Sequence, residues 1–447
     1  MNTSDIRIGF APIARPTFDL ELARQMTAQV YAALSGSYNV IGSQDLIMDG
    51  DAIDARIAQL AAADIDMVLL LQSSFADSTM ILQLARALNV TPLLMWALPE
   101  AQVGRRLRIN SFCGINLAAH GLRRAGFRYD YIYAPPDDLA ARKKLDDFAI
   151  AARVKKRLAG ARIGRLGEHP DGFDTCRVNH AALKAQLGIE ISQFELDSFF
   201  ARARQAESAR VEAIAADLSE RLAGFAEMEP EATKGTLGAY VALDDLVREE
   251  NLNGMAVRCW PEFFTDLGCS ACGAMSLLSD ALMPSSCEAD VNGTITQLIL
   301  QWISGEPAFG SDLVAFDVAA DEAVLWHCGL APLSMADPDV QPGATIHSNR
   351  QKPLLMQFPL KPGRVTFARL SEATGEFRLV IGGGQMLKAP AAFTGTSGTI
   401  RFDSGAAAVM DVIMREGLEH HISLTYGDHQ DALASLARML GLSVLRL

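Results

Sequence analysis

Apolar residues in the first third of the chain form two patterns that alternate along the sequence. Arg7–Ile13, Met67–Leu71 and Val90–Trp96 are largely apolar runs of strand length. Leu20–Leu34 and Asp77–Leu88 instead place apolar residues at every third or fourth position, which predicts helices. Strands separated by helices of this length are typical of a parallel sheet with helices on both faces.

A second region with the same alternation follows a charged helix predicted over Asp138–Leu158. It begins with a strand at Arg162–Leu166, continues with a long helix at Leu196–Leu222 and includes a strand at Met255–Cys259. These segments predict a second α/β unit with its own parallel sheet.

The pattern changes after about Leu313, where short segments rich in β-branched and aromatic residues alternate with turns rich in Gly, Pro and Ser. Strands are predicted there at Ala323–Trp326, Leu354–Phe358, Val365–Leu370, Phe377–Ile381, Thr399–Phe402 and His421–Thr425. The predicted fold class is therefore α/β. Two Rossmann-like α/β domains with parallel sheets, residues 1–150 and 151–305, are followed by a β-rich, antiparallel, barrel-like domain over residues 306–447.

Composition and charge exclude several classes of protein. The chain has 447 residues and a net charge of −13 without a basic cluster, which argues against binding of DNA or RNA. No apolar run reaches the roughly 18 residues that a membrane helix needs, and the N-terminal MNTSDIRIGF lacks the features of a signal peptide. Seven cysteines in so long a chain do not indicate a disulfide framework. We expect a cytoplasmic protein with reduced cysteines and no membrane or nucleic-acid partner.

The stretch Pro284–Leu313 carries the candidate chemistry. Glu288 lies among small residues just before an apolar helix predicted over Val291–Ile303, Gly305 ends that helix, and Asp312 is expected in the next loop. An ionised carboxylate beside a buried apolar helix is costly unless a cation or a hydrogen-bond donor compensates it. The alternative is that Glu288 accepts bonds from backbone amides and Asp312 is a turn residue.

Two histidines at predicted strand ends add to this set. His327 ends one strand and His421 opens another, whereas His420 is expected to face the opposite side of that strand. Histidines at strand ends are most often structural. Together with Glu288 and Asp312, however, they form a carboxylate–imidazole set that suits Mn²⁺, with Mg²⁺, Co²⁺ or Zn²⁺ as alternatives.

At these residues the sequence resembles the L-fucose isomerase and L-arabinose isomerase family. The C-terminal block His421-Ile-Ser-Leu-Thr-Tyr-Gly-Asp is similar to the end of the fucose isomerases, and Glu288-Ala-Asp-Val-Asn-Gly is similar to the segment with their metal glutamate. An aspartate, Asp312, follows at a similar interval (312 − 288 = 24). The resemblance implies that Glu288, Asp312 and His421 bind the metal, with His327 as the additional histidine of the arabinose isomerases.

The resemblance also implies an activity. The expected enzyme is a metal-dependent aldose–ketose isomerase that acts on a free sugar (a pentose, a deoxyhexose or a derivative) through an enediol, with Glu288 and Asp312 as the acid/base pair. It further implies a homo-oligomer, a trimer or hexamer with shared active sites, in which the Ser111–Gly114 loop reaches a neighbouring subunit. The alternatives are epimerisation or C–C cleavage of a modified sugar, or a non-catalytic sugar-binding protein.

Residues next to this set are candidates for substrate contact. Arg258, Trp260 and Glu262 follow a predicted strand, and ligands often bind at the carboxyl ends of strands in α/β sheets; core packing is the alternative. Asp290 either orients a ligand or water at the site or caps the helix that follows it.

Two other motifs predict structure rather than chemistry. Gly382–Gly384 lacks the spacing of a phosphate-binding loop, so a turn is predicted there. Cys269 and Cys272 form a single Cys-x-x-Cys pair, for which core packing is predicted.

Overall fold

The computed structural model describes residues 3–89 and 91–447. The chain divides into two compact units. The first comprises the residues up to Arg157 together with Asp431–Gly441, and the second comprises Leu158–Gln430 together with Leu442–Leu447. Val90, the first residue of one predicted strand, lies outside the described residues.

The first unit is built on a parallel sheet with strand order β2-β1-β3-β4-β5. Its strands are β1 (Arg7–Ile13), β2 (Asn39–Ile41), β3 (Met67–Gln72), β4 (Leu93–Ala97) and β5 (Asp130–Tyr133). Every residue of β3 and β4 is buried, which is the burial expected when helices cover both faces of a sheet.

Helices cover this sheet. They are α1 (Leu20–Ser35), α2 (Gly50–Ala62), α3 (Thr79–Ala87), α4 (Ser111–Arg124) and α5 (Leu139–Leu158), and α13 (Gln430–Leu440) belongs here except for its first residue. Asp19 and Asp49 fix the starts of α1 and α2, since their carboxylates accept the backbone N–H groups of Leu22 and Ala52.

The second unit contains a smaller parallel sheet with strand order β7-β6-β8-β9. Its strands are β6 (Arg162–Leu166), β7 (Glu190–Phe194), β8 (Gly254–Val257) and β9 (Ser285–Ser286). The helices of this part are α6 (His180–Leu187), α7 (Leu196–Arg204), α8 (Ser208–Arg221), α9 (Pro230–Glu249), α10 (Ala271–Asp280) and α11 (Val291–Ser304).

A mostly antiparallel barrel completes the second unit. Its sheet has the order β12-β13-β16-β11-β10-β17-β14-β15-β18, and a further pairing of β16 with β15 closes it. The strands are β10 (Phe309–Asp317), β11 (Glu322–His327), β12 (Gly343–Thr345), β13 (Leu355–Pro359), β14 (Gly363–Ser371), β15 (Arg378–Met386), β16 (Thr396–Phe402), β17 (His421–Tyr426) and β18 (Ser443–Arg446). Helix α12 (Ala406–Glu416) packs against β10 and β16.

Helix α11 joins the two parts of this unit. It packs against β8 of the parallel sheet and against β14 and β17 of the barrel. Each residue from Val291 to Ile303 is consequently buried, so the helix is covered on all sides rather than on one stripe. Gly305 ends it in the left-handed conformation that favours glycine, with φ 79°.

The prediction of one long helix over Leu196–Leu222 is wrong, because the chain forms two helices there, α7 and α8, with a break between Arg204 and Ser208. The apolar spacing continues in phase through the break, so periodicity could not indicate it. Tertiary packing accounts for it. Phe199 and Phe200 in α7 lie against Phe263, with ring centres 6.0 Å and 5.1 Å away, and both helices also pack separately on α9.

Two further local predictions are wrong. Asp312 lies within strand β10 rather than in a loop, because the residues before it pair with β17. Gly382–Gly384 lies within β15 rather than in a turn. Gly382 is directly opposite Phe367 of β14, and this ring fills the space that a side chain at position 382 would take.

The predicted fold class is confirmed: parallel-sheet α/β parts precede an antiparallel barrel. The division into three domains, residues 1–150, 151–305 and 306–447, stays a prediction. Within residues 3–89 and 91–447, no helix is both long and apolar enough to cross a membrane.

Candidate metal and active site

Glu288 lies in a strained loop between β9 and α11. Both Glu288 and Ala289 have positive φ, 60° and 52°, a conformation that costs a non-glycine residue on the order of 1–3 kcal/mol. The Ala289 N–H donates to the carbonyl of Val257 at 3.0 Å, and Cys287 is cross-linked to Cys259. The loop is therefore held against the carboxyl end of β8.

Asp312 and His421 are brought together by strand register. They are directly opposite each other on the antiparallel strands β10 and β17, so their side chains share a face of the barrel. The Nε2 atom of His421 lies 3.5 Å from Asp312 Oδ1 and 3.8 Å from Glu288 Oε2. The imidazole thus stands between the two carboxylates that the sequence analysis selected.

The partner of the other ring nitrogen sets the proton position of His421. Its Nδ1 lies 2.9 Å from Asp290 Oδ2, and an ionised carboxylate can only accept a hydrogen bond. In the neutral ring the proton is therefore on Nδ1, and the lone pair of Nε2 faces Glu288 and Asp312. A carboxylate behind a histidine in this way is the usual support of a metal-binding imidazole.

Asp290 is itself held by a buried ion pair with Arg369. The guanidinium contacts both carboxylate oxygens, at 2.5 Å and 3.1 Å, and the side chains are only 1% and 2% exposed. Burial opposes the charge of Asp290, but the charge of Arg369 and the bond from His421 outweigh it and lower the pKa of Asp290. Asp290 also accepts the Gly293 N–H and caps α11. The structure therefore places it beneath the site, in contact with His421.

Glu288 accepts hydrogen bonds at both of its oxygens. The indole N–H of Trp260 donates to Oε1 at 3.3 Å, and His420 Nε2 donates to Oε2 at 3.1 Å. Burial raises the pKa of Glu288. The hydrogen bond from His420, the charges of His421 and His420 and the hydrogen bond from Trp260 together lower this pKa by more than burial raises it, so the net shift is downward. Glu288 is consequently an oriented, ionised carboxylate at neutral pH.

The expectation that His420 faces away from His421 is wrong. The two ring centres are 4.0 Å apart, and the Nδ1 of His420 contacts the Thr175 hydroxyl at 2.7 Å. Side chains alternate only within a strand, and β17 begins at His421. His420 precedes that strand and is free to turn its ring toward Glu288.

His327 lies at the edge of the same group. Its ring centre is 6.0 Å from that of His421, and the Cys328 backbone N–H donates to its Nδ1 at 2.8 Å. Because that nitrogen accepts, the neutral ring carries its proton on Nε2. His327 is thus oriented as a donor, in contrast to His421, and its role as a metal ligand stays a prediction.

The donor atoms fit a divalent ion. Asp312, His327 and His421 form one group with ligand atoms within 4.8 Å of one another, and Cys176, Glu288, His420 and His421 form another that shares His421. Asp312 Oδ1 is buried and accepts no hydrogen bond in the described part of the chain. A buried carboxylate oxygen without a donor is compensated when it binds a cation. Carboxylate oxygens with one imidazole nitrogen suit Mn²⁺ and similar ions.

The three candidates for substrate contact lie at different positions. Arg258 is paired with Glu262 at 2.8 Å and also donates to the carbonyl groups of Glu168 and His169. Trp260 alone of these three contacts Glu288, and the edge of Phe173 packs on its ring at 5.3 Å. The structure therefore brings Trp260 to the candidate centre and uses Arg258 and Glu262 in a local ion pair.

The prediction that all cysteines are reduced is wrong for one pair, since Cys259 and Cys287 form a disulfide. The residues are 28 positions apart and have no motif spacing, so only the tertiary structure brings their sulfurs together. Cys269 and Cys272 are buried as predicted. Cys272 contacts Cys328 at 3.0 Å rather than its partner in the Cys-x-x-Cys motif.

Sequence reasoning missed Arg369 and Cys176. Arg369 is the one charged residue in the predicted strand Val365–Leu370, and an arginine in a buried strand requires an acidic partner. This signal could have linked it to Asp290. Cys176, whose thiol is 3.7 Å from Glu288 Oε2, lies in a short polar turn that carries no sequence signal.

Two family models match parts of the chain. Residues 9–159 match the family model for the N-terminal domain of fucose/sulfoquinovose isomerase, and residues 325–447 match that for the C-terminal domain of L-fucose isomerase.

Full-length relatives carry related names. The chain is 30% identical over 436 residues to a sulfoquinovose isomerase of Priestia aryabhattai, covering 97% of each chain. It is 29% identical to that of Alkalicoccus urumqiensis and 28% identical to that of Clostridium sp. (strain MSTE9), covering 98% of each chain in both cases.

Proposed function

Because the chain belongs to the fucose/sulfoquinovose isomerase family and is an aldose–ketose isomerase, we propose that it converts a sulfonated aldose into the corresponding 2-ketose. Full-length similarity to several sulfoquinovose isomerases supports the choice of substrate. The orientation of His421, whose Nε2 faces Glu288 and Asp312, carries the choice of site.

Glu288, Asp312 and His421 would hold the metal ion, for which Mn²⁺ is the proposed species and Mg²⁺ or Co²⁺ are alternatives. When bound, such an ion would act as a Lewis acid and would stabilise the negative charge that develops on the sugar oxygens. The chain prepares this binding through Asp290, which keeps the His421 proton on Nδ1.

Glu288 is the proposed base. Its hydrogen bonds from Trp260 and His420 hold it ionised and fix its direction. It removes the proton from C2, and the electron pair forms the enediolate double bond between C1 and C2. The Glu288 carboxyl exchanges this proton with solvent and then protonates C1. Asp312 transfers the hydroxyl proton from O2 to O1, so the atoms of aldose and ketose balance and no oxidant is needed.

The test is isomerisation in D₂O followed by NMR. The protein is treated with a chelator and assayed with sulfoquinovose, quinovose, L-fucose and L-arabinose, with and without added Mn²⁺. We expect the sulfonated ketose to form, with deuterium at C1, only when a divalent ion is present.

Two results would contradict different parts of the proposal. Conversion of L-fucose or L-arabinose without conversion of sulfoquinovose would exclude the substrate. Full activity after complete metal removal would exclude the role of the ion. The homo-oligomeric assembly and the cytoplasmic location stay predictions from the family resemblance.

A further inference from the structure

The guanidinium of Arg350 lies over an aromatic platform, formed by Trp260 and Phe264, beside the candidate active site. Its Cζ is 5.4 Å from the ring centre of Trp260 and 5.7 Å from that of Phe264. A guanidinium in this position is attracted by the rings, while its N–H groups remain available for hydrogen bonds in the plane of the group.

The platform connects Arg350 to the proposed base. The indole N–H of Trp260 donates to Glu288 Oε1 at 3.3 Å. The Trp260 ring therefore contacts both the Arg350 guanidinium and Glu288.

A turn with several internal hydrogen bonds holds Arg350 in place. The His347 Nδ1 accepts the backbone N–H groups of Asn349 and Arg350, each at 3.3 Å. The backbone N–H of His347 donates to the carbonyl of Lys352 at 2.9 Å. The His347 ring also packs against the edge of Phe264 at 5.2 Å, which fixes the turn to the platform.

Three other arginines of the second unit form ion pairs with carboxylates, whereas Arg350 does not in the described part of the chain. Arg369 is paired with Asp290, Arg258 with Glu262, and Arg177 with Asp174, at 2.5, 2.8 and 3.1 Å. Across residues 3–89 and 91–447, no carboxylate lies within 4.0 Å of the Arg350 guanidinium, and the side chain is exposed. Its charge is thus available to an anion from solvent.

We propose that Arg350 binds the anionic group at the far end of the substrate and thereby selects a sulfonated sugar over a neutral one. This inference rests on the proposed function. A sulfonate presents three oxygens, two of which can accept parallel hydrogen bonds from one guanidinium. The aromatic platform keeps the guanidinium in place without neutralising it.

The experiment compares two aldoses that differ only in the sulfonate, sulfoquinovose and quinovose, with wild type, Arg350→Gln and Arg350→Lys. For Arg350→Gln we expect KM for sulfoquinovose to rise roughly 10–100-fold, the range for loss of a charge-assisted pair, with a smaller change in kcat. Proton exchange at C2 of quinovose should not change. Arg350→Lys, which keeps the charge but not the planar fork, should be intermediate.

Lys352→Gln is the matched control, since it removes a positive charge from the same turn. It should leave the KM for sulfoquinovose and the proton exchange at C2 of quinovose unchanged. If wild type converts sulfoquinovose and Arg350→Gln has an unchanged KM for it, the role of Arg350 is refuted and the proposed function stands. An equal loss with both sugars would also refute it, because Arg350 would then support the site in general. If wild type does not convert sulfoquinovose at all, the proposed function itself fails.

Discussion

His420 and His421 are neighbours in the chain but carry their protons on different nitrogens. Asp290 accepts from Nδ1 of His421, whereas Glu288 accepts from Nε2 of His420. One ring is therefore oriented to bind a cation and the other to donate to the proposed base. At the scale of single residues, the role of each histidine depends on which carboxylate accepts the proton of its ring. Sequence spacing does not specify that carboxylate.

Replacing the proposed base tests the chemistry at this scale. Glu288→Gln removes the charge and basicity, while the amide oxygen can still accept the Trp260 N–H, so the fold should be preserved. We expect kcat to fall by roughly 10²–10⁴-fold, the usual contribution of a positioned acid or base, with an unchanged melting temperature.

The control for this variant is Glu322→Gln, which removes a charge from an exposed pair with Arg401 on the barrel and should keep full activity. A Glu288→Gln enzyme that turns over at the rate of wild type would exclude Glu288 as the base.

Removing the charge of Asp290 tests the support of His421. Asp290→Asn keeps the side-chain size but removes the carboxylate that contacts Arg369 at 2.5 Å, so that only Glu419, at 3.8 Å, still pairs with the buried guanidinium. Breaking a buried ion pair from one side costs roughly 3–5 kcal/mol. We expect a lower midpoint of urea denaturation for the second unit, measured by intrinsic fluorescence.

The double variant Asp290→Asn with Arg369→Met removes both charges and should lose less stability than Asp290→Asn alone. An Asp290→Asn midpoint equal to that of wild type would show that the pair does not stabilise the fold.

At the scale of elements, local sequence determined most of the helices and strands. The strands Arg7–Ile13 and Arg162–Leu166 are confirmed with the predicted bounds, and the helix over Val291–Ile303 extends by one residue. Failures occurred where a contact distant in sequence decided the local structure. The break before α8 and the strand through Gly382 both depend on an aromatic ring from another element.

Gly382 provides a test of this explanation. A Cβ atom at this position would lie 2.1 Å from Phe367 Cζ, so Gly382→Ala forces the buried ring or the strand to move. Overpacking of this kind costs roughly 1–3 kcal/mol. We expect a lower melting temperature in calorimetry.

Gly50→Ala is the comparison, because no atom lies within 4 Å of a Cβ built there and the residue begins a helix. If the two substitutions changed the melting temperature equally, the contact with Phe367 would not be the reason for the glycine.

At the scale of the whole molecule, the second unit contains every residue of the candidate site. Glu288 comes from the loop after the parallel sheet, whereas Asp312, His327 and His421 come from the barrel. Helix α11 packs against both parts and so sets the distance between them. The site is a product of this packing, since neither part alone carries both proposed acid/base residues.

The sequence by itself determined the alternation of helices and strands, the change to a β-rich region, the family resemblance, and the identity of Glu288, Asp312, His327 and His421 as candidates. These features depend on residue type and short spacing, which are local. Only the tertiary structure decided the Arg369–Asp290–His421 chain, the turn of His420 toward Glu288, the Cys259–Cys287 bond and the position of Arg350 on Trp260. Each of these needs two or more segments far apart in sequence to meet. Burial then fixes which partner each charged or polar group must take, because an unpaired one inside the protein is costly.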